Sequence, residues 1–164
     1  MRFHLSWHPV KPTAPIRMFK KILVATDGSV LSKKAVKCAI GMARTHQAEL
    51  LVVNVVPRYP LSYFEGAASF SADEIGVIES RWSHEAQSLL DGIAERANAE
   101  GVKTRTVAIS SDQVAQALLL AAKKHKCDLM VMASHGRKGI KRLLLGSETQ
   151  HVLTHSTLPV LVLR

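Results

Sequence analysis

The chain has 164 residues, 47% of them hydrophobic, enough for one domain with a buried core; its longest apolar stretches, 50–56 and 158–163, fall far short of the roughly 20 residues of a membrane-spanning helix. Two cysteines, Cys38 and Cys127, stand far apart without a Cys-x-x-Cys, which excludes a disulfide framework and a zinc finger and fits a reducing, cytoplasmic compartment. Basic residues outnumber acidic ones 22 to 13, a net charge of +9 with histidine neutral, so an anionic partner is expected, without a choice among nucleotide, nucleic acid and lipid.

Met1–Arg17 holds Pro9, Pro12 and Pro15, two histidines and no acidic residue, and lacks the continuous apolar core of a signal peptide. It is expected to be a flexible extension outside a domain running from residue 18 to 164, with Met18 a candidate internal start. The next run, Ile22-Leu23-Val24-Ala25, ends at Thr26-Asp27-Gly28-Ser29, the pattern of a strand buried on both faces followed by a turn. Ala35, Ala39, Met42 and Ala43 then recur at helical spacing, with Lys33, Lys34, Lys37 and Arg44 elsewhere on the wheel. Leu50 to Val56 is a second strand, broken by Pro57-Arg58-Tyr59-Pro60. Ser71-Ala72-Asp73-Glu74 is a capping box that opens a long helix with Ile75, Ile78, Trp82, Leu89 and Ile93 on one face and Gly101 as its stop. Val102 to Ile109 makes a third strand, Asp112 caps a helix carrying Val114, Ala117, Leu118 and Ala121, and Leu129 to Ala133 makes a fourth strand. After a loop with three glycines, Ser147 opens a short helix, and Pro159 to Leu163 is the terminal strand.

That order predicts an α/β fold: a Rossmann-like, doubly wound, five-stranded parallel sheet in three α/β/α layers, as a single domain. Ligands of such sheets bind at the carboxyl ends of the strands, near the switch point in strand order. The segment from Ala133 to Ser147 (Ala-Ser-His-Gly-Arg-Lys-Gly-Ile-Lys-Arg-Leu-Leu-Leu-Gly-Ser) leaves the fourth strand and ends at a helix start. Its glycines permit positive φ and close backbone approach, and a helix N-terminus offers unpaired N–H groups to an anion. Arg137, Lys138, Lys141 and Arg142 add charge there or form a solvated face. Neither a P-loop nor a dinucleotide fingerprint is present.

Lys20-Lys21-Ile22-Leu23-Val24-Ala25-Thr26-Asp27-Gly28-Ser29, Ala133-Ser134-His135-Gly136 with Gly146-Ser147, and Leu158-Pro159-Val160-Leu161-Val162 together resemble the universal stress protein family, in order and spacing, from about Met18 to Arg164. The resemblance implies a Rossmann-like cytoplasmic domain, usually a homodimer, tied to survival under stress; many members bind ATP and others do not. The family's nucleotide motif, Gly-x2-Gly-x9-Gly-Ser/Thr, is matched by Gly136, Gly146 and Ser147, with Ala133 standing where the first glycine is expected. A methyl there is harmless at negative φ and obstructive if a phosphate needs the main chain in contact.

Carried onto this sequence, the resemblance implies a site for ATP, with magnesium, on four stretches. Ala25, Thr26 and Asp27 follow the first strand, and Val55 ends the second. Met132, Ala133, Ser134, His135, Gly136, Arg137 and Gly139 leave the fourth, and Gly146, Ser147, Glu148 and Thr149 open the last helix. Asp27 either accepts hydrogen bonds from the nucleoside or makes an Asx turn with Gly28 and Ser29. Val55 packs near adenine or in the core, Ser147 meets phosphate or caps its helix in a box with Gln150, and His135 touches phosphate or serves the turn.

Other chemistry is sparse. His151 and His155 sit four apart without a third ligand and read as a surface pair. Cys38 and Cys127 read as packing residues. No spacing nominates a catalytic triad or a carboxylate pair, so the expected role is nucleotide binding in the stress response with at most weak ATP hydrolysis. The alternative is a dimeric interaction protein that binds no nucleotide. Nucleic acid is disfavoured by the shortage of aromatic residues, 5% of the chain. The uncharged terminal strand, Val160, Leu161, Val162 and Leu163, is an edge that needs cover, and pairing across a two-fold axis supplies it.

Overall fold

A computed structural model describes residues 17–58, 72–136 and 145–164. In chain order it contains β1 (Lys21–Ala25), α1 (Val30–His46), β2 (Glu49–Val56), α2 (Ala72–Ala99), β3 (Thr104–Ser110), α3 (Val114–Lys124), β4 (Leu129–Ala133), α4 (Ser147–His155) and β5 (Val160–Leu163). All strands pair in parallel in the order β3-β2-β1-β4-β5. A helix follows each of the first four strands, so neighbouring strands run the same way and helices pack on both sheet faces.

Side chains alternate between the two faces along each strand. Ile22, Val24, Leu50, Val52, Leu129 and Val131 face α1 and α2, where Val36, Ile40, Leu90 and Ala97 meet them. Leu23, Leu51, Val53, Met130 and Met132 face α3 and α4, against Ala115, Leu118, Ala122 and Val152. Three layers result, as the alternation of strand and helix predicts.

One strand boundary differs from the sequence reading. Strand β3 begins at Thr104, because Val102 is buried in the turn before it and its N–H bonds back to Ala97 O. Helix α2 is 28 residues long, about 42 Å at 1.5 Å per residue, while the seven residues of β3 span about 23 Å. Only its later half can lie on the sheet, so Leu90 and Ala97 are its fully buried anchors while Ile75, Ile78, Trp82 and Leu89 are half-buried. The expected cap Ser71, and all of the extension except Arg17, lie outside the described residues.

Asp112 does not cap α3. Its carboxylate accepts from Arg58 N at 2.9 Å, and the N-cap position belongs to Gln113, whose side chain makes no cap bond. The missing cap comes from another helix, because Glu148 of α4 accepts from Ala115 N at 2.7 Å. A carboxylate at a helix N-terminus satisfies an orphan donor and opposes the dipole, worth about 1 kcal/mol.

Candidate functional site

Strand order reverses between β1 and β4: the chain runs outward from β1 through β2 to β3, then returns to the other side of β1. The loops after these two neighbours diverge at their carboxyl ends and leave a crevice. The buried polar residues among those described are Thr26, Ser32, Asn54, Ser134 and Thr149. All five lie at the carboxyl ends of β1, β2 and β4 or on the adjoining turns of α1 and α4. The other buried residues among those described are apolar, so polar groups are concentrated where the fold opens.

The loop after β1 is fixed from three sides. Thr26 N donates to Val53 O at 2.9 Å, Asn54 Nδ2 donates to Thr26 O at 2.7 Å, and Thr26 Oγ1 lies 3.1 Å from Ser32 Oγ. Asp27 Oδ1 accepts from Ser29 N at 3.0 Å around Gly28, whose φ is +78°. That is the expected Asx turn. Ser29 then caps α1, its hydroxyl accepting from Ser32 N at 3.2 Å. The turn leaves Asp27 Oδ2 directed at the second loop, where a Cβ built on Gly136 would stand 2.8 Å from it. The two loops meet at Asp27 and Gly136 with no room for a methyl between them.

The β4 loop departs from the expectation about its glycines. Neither Gly136 nor Gly146 has a positive φ, so Gly136 is there for close approach rather than for a left-handed backbone. A Cβ at Gly146 would stand 3.4 Å from His135 Cα and Ser134 O, and Gly146 N donates to Ser134 O at 2.8 Å. Ala133 ends β4 with no positive φ, so alanine is unstrained in place of glycine. Leu129 and Val131 face the α1–α2 layer, Met130 and Met132 the other. Alternation therefore turns the Ala133 methyl toward α1 and α2, away from the start of α4.

Ser147 is not the N-cap of α4. Gly146 holds that place without a side-chain bond, Ser147 is the exposed first helical residue, and the box with Gln150 is not formed. Thr149 is buried and donates its hydroxyl to Ala133 O at 3.1 Å, tying the helix start to the strand end. Glu148 is engaged on α3. No side chain caps α4 among the described residues, so the first N–H groups of a nine-residue helix open beside Gly136 and Gly146.

Ala25, Met132 and Val55 lie on the α3–α4 face of the sheet; Ala25 and Val55 are half-buried against that core, and Met132 is 5% exposed. Ser134 is buried and half-buried His135 turns its Nδ1 to Ser134 Oγ at 3.1 Å. Arg137 and Gly139, with Lys138, Lys141 and Arg142, fall outside the described residues.

Residues 18–164 match the model of the universal stress protein family. A universal stress protein of Bacillus subtilis is 34% identical over 149 residues, covering 90% of this chain and 100% of its own. The chain belongs to the universal stress protein family. Universal stress protein UspA from Lactobacillus plantarum superposes with a TM-score of 0.74 at 24% identity, over 88% of this chain and 97% of its own. A universal stress protein solved in complex with cAMP gives a TM-score of 0.64 at 26% identity, over 89% and 97%.

In this universal stress protein domain two residues of the crevice escape a motif-based reading. Asn54 interrupts the apolar run Leu50 to Val56. A carboxamide inside a strand buried on both faces needs a hydrogen-bond partner, and that signal points to it. Ser32 carries no such signal, because a serine in the second turn of a helix is ordinary. Away from the crevice, His151 and His155 stack with ring centroids 4.3 Å apart on the exposed face of α4, and His155 Nδ1 donates to His151 O at 2.9 Å. Among the described residues no three potential metal ligands gather. Burial pushes the half-buried Cys127 thiol up to about 11, the behaviour of a packing residue rather than a nucleophile.

Proposed function

We propose that this protein is a cytoplasmic stress-response protein that holds an adenine nucleotide, ATP by its motif, in the β1–β4 crevice and acts as a homodimer with little or no hydrolysis. The observation that carries this reading is the start of α4: N–H groups uncapped by any side chain among the described residues, beside Gly136 and Gly146. Such a terminus is complementary to phosphate in both hydrogen bonding and dipole. Asp27, whose Oδ2 lies beside Gly136, is the carboxylate suited to a ribose hydroxyl or an adenine amine. Ala25, Val55 and Met132 offer an apolar wall for the base, and the cAMP-bound relative supports an adenine nucleotide as the ligand class.

The reading carries little or no hydrolysis: Glu148 Oε2 holds Ala115 N, and Asp27, held by Ser29 N through Oδ1, is assigned to the nucleoside rather than to a water. A magnesium ion travelling with ATP would rest chiefly on the phosphates, since no three-ligand cluster gathers among the described residues.

Equilibrium dialysis with labelled ATP on the wild type and Gly146→Asp tests the reading. Aspartate is a good N-cap, so α4 still forms while a carboxylate occupies the phosphate position. Saturable wild-type binding that the variant loses is the expected result; no saturable wild-type binding leaves the alternative, a dimeric interaction protein that binds no nucleotide.

A further inference from the structure

On the α3–α4 face, α3 packs against β2, and among the described residues no helix packs closely over the outer strand β3 on that side. Between them runs a groove of about 380 Å³, within the roughly 300–1,000 Å³ of small-molecule sites. Val107 and Ile109 form its floor, and Ala117 and Leu120 its wall. Leu120 is 57% exposed, a large apolar side chain at the rim whose exposure a ligand would relieve.

The groove is polarised along its length. At the end where α3 finishes stand Lys124 and His125, and alternation along β3 places Arg105 on the same face as Val107 and Ile109. Among the described residues no carboxylate pairs with Lys124 or Arg105. The opposite end is bounded by neutral Ser110, Ser111 and Gln113. Cationic at one end and apolar along its middle, this surface is complementary to a molecule that is anionic at one end and apolar along its body.

We propose that the β3–α3 groove is a second ligand site, separate from the β1–β4 crevice, for a medium-chain carboxylate. The chain lies on Val107, Ile109 and Leu120, and the head group meets Lys124. The site does not depend on the nucleotide reading, because no residue of the crevice contributes to it.

Titration calorimetry of the full chain with decanoate below its micelle concentration, with and without saturating ATP, tests the proposal. One saturable site is expected, with decanol binding more weakly than decanoate and ATP without effect. Leu120→Asp should abolish binding and Lys124→Glu weaken it about threefold, the size of an exposed ion pair. Both positions face solvent, so neither change threatens the fold, and the decanol comparison needs no variant. Absence of saturable binding, displacement by ATP, or variants that bind like the wild type would overturn the proposal. So would a dimer in sedimentation that Leu120→Asp dissociates while decanoate fails to bind, since the groove would then belong to a second copy of the chain.

Discussion

At the scale of the residue, Gly136 and Asp27 define the crevice. Glycine stands at position 136 because a methyl would press on Asp27 Oδ2 at 2.8 Å, while Asp27 Oδ1 is already committed to Ser29 N. Gly136→Ala must therefore rotate the carboxylate or move the loop. Because Gly136 is exposed and has no positive φ, little stability should be lost. The expected outcome is an ATP affinity lower by about tenfold, roughly 1.4 kcal/mol, with the denaturant midpoint nearly unchanged. An unaltered affinity in the same dialysis assay would separate Asp27 from the ligand. Ala133 carries the opposite lesson: the motif wants glycine, yet the strand backbone accepts alanine without strain and its methyl faces the far layer.

At the scale of the element, Glu49 clamps the amino ends of the three neighbouring strands. It pairs with Lys103 beside β3 and with Lys21 of β1 at 3.1 Å. Hydrogen bonds from Lys103 and then Lys21 hold its carboxyl well below the usual range, at about 2. A depressed carboxylate contributes stability above its unfolded value of 4.5 and loses it as pH falls toward 2. For a partly exposed cluster that contribution is about 1 kcal/mol. Denaturant unfolding followed between pH 6 and pH 2.5 should show Glu49→Gln closing its stability deficit on acidification; a deficit constant with pH would refute the clamp.

The same scale shows what could be read in advance. Strands β1, β2 and β4 were legible because residues buried on both faces form continuous apolar runs, and the start of α4 because glycine spacing marks it. The caps were not: Asp112 is the better local candidate for α3, but the chain brings Glu148 to Ala115 N through tertiary packing that no local pattern records. Nor could spacing show that Gly136 serves close approach rather than positive φ, since both demands select the same residue.

At the scale of the molecule, the sheet ends in β5, whose four residues are all half-buried. Leu161 and Leu163 lean on the α1–α2 core, Val160 and Val162 on the other. Among the described residues the outer edge of β5 has no partner strand, and a short apolar edge invites pairing with a second copy. Leu161→Lys places a charge at that edge. On the proposed homodimer, sedimentation should report a dimer for the wild type and monomer for the variant at the same concentration, with circular dichroism retained; equal masses for the two would contradict a contact through β5.

The central claim, that main-chain amides at the start of α4 receive the phosphates of an adenine nucleotide, is tested most directly by amide chemical shifts of isotope-labelled protein during titration with ATP. Phosphates held at the start of α4 give large, saturable shifts for Ser147, Glu148, Thr149 and Gly136, with the amides of β3 and α3 unmoved. Saturable ATP binding that leaves those four amides in place would contradict it.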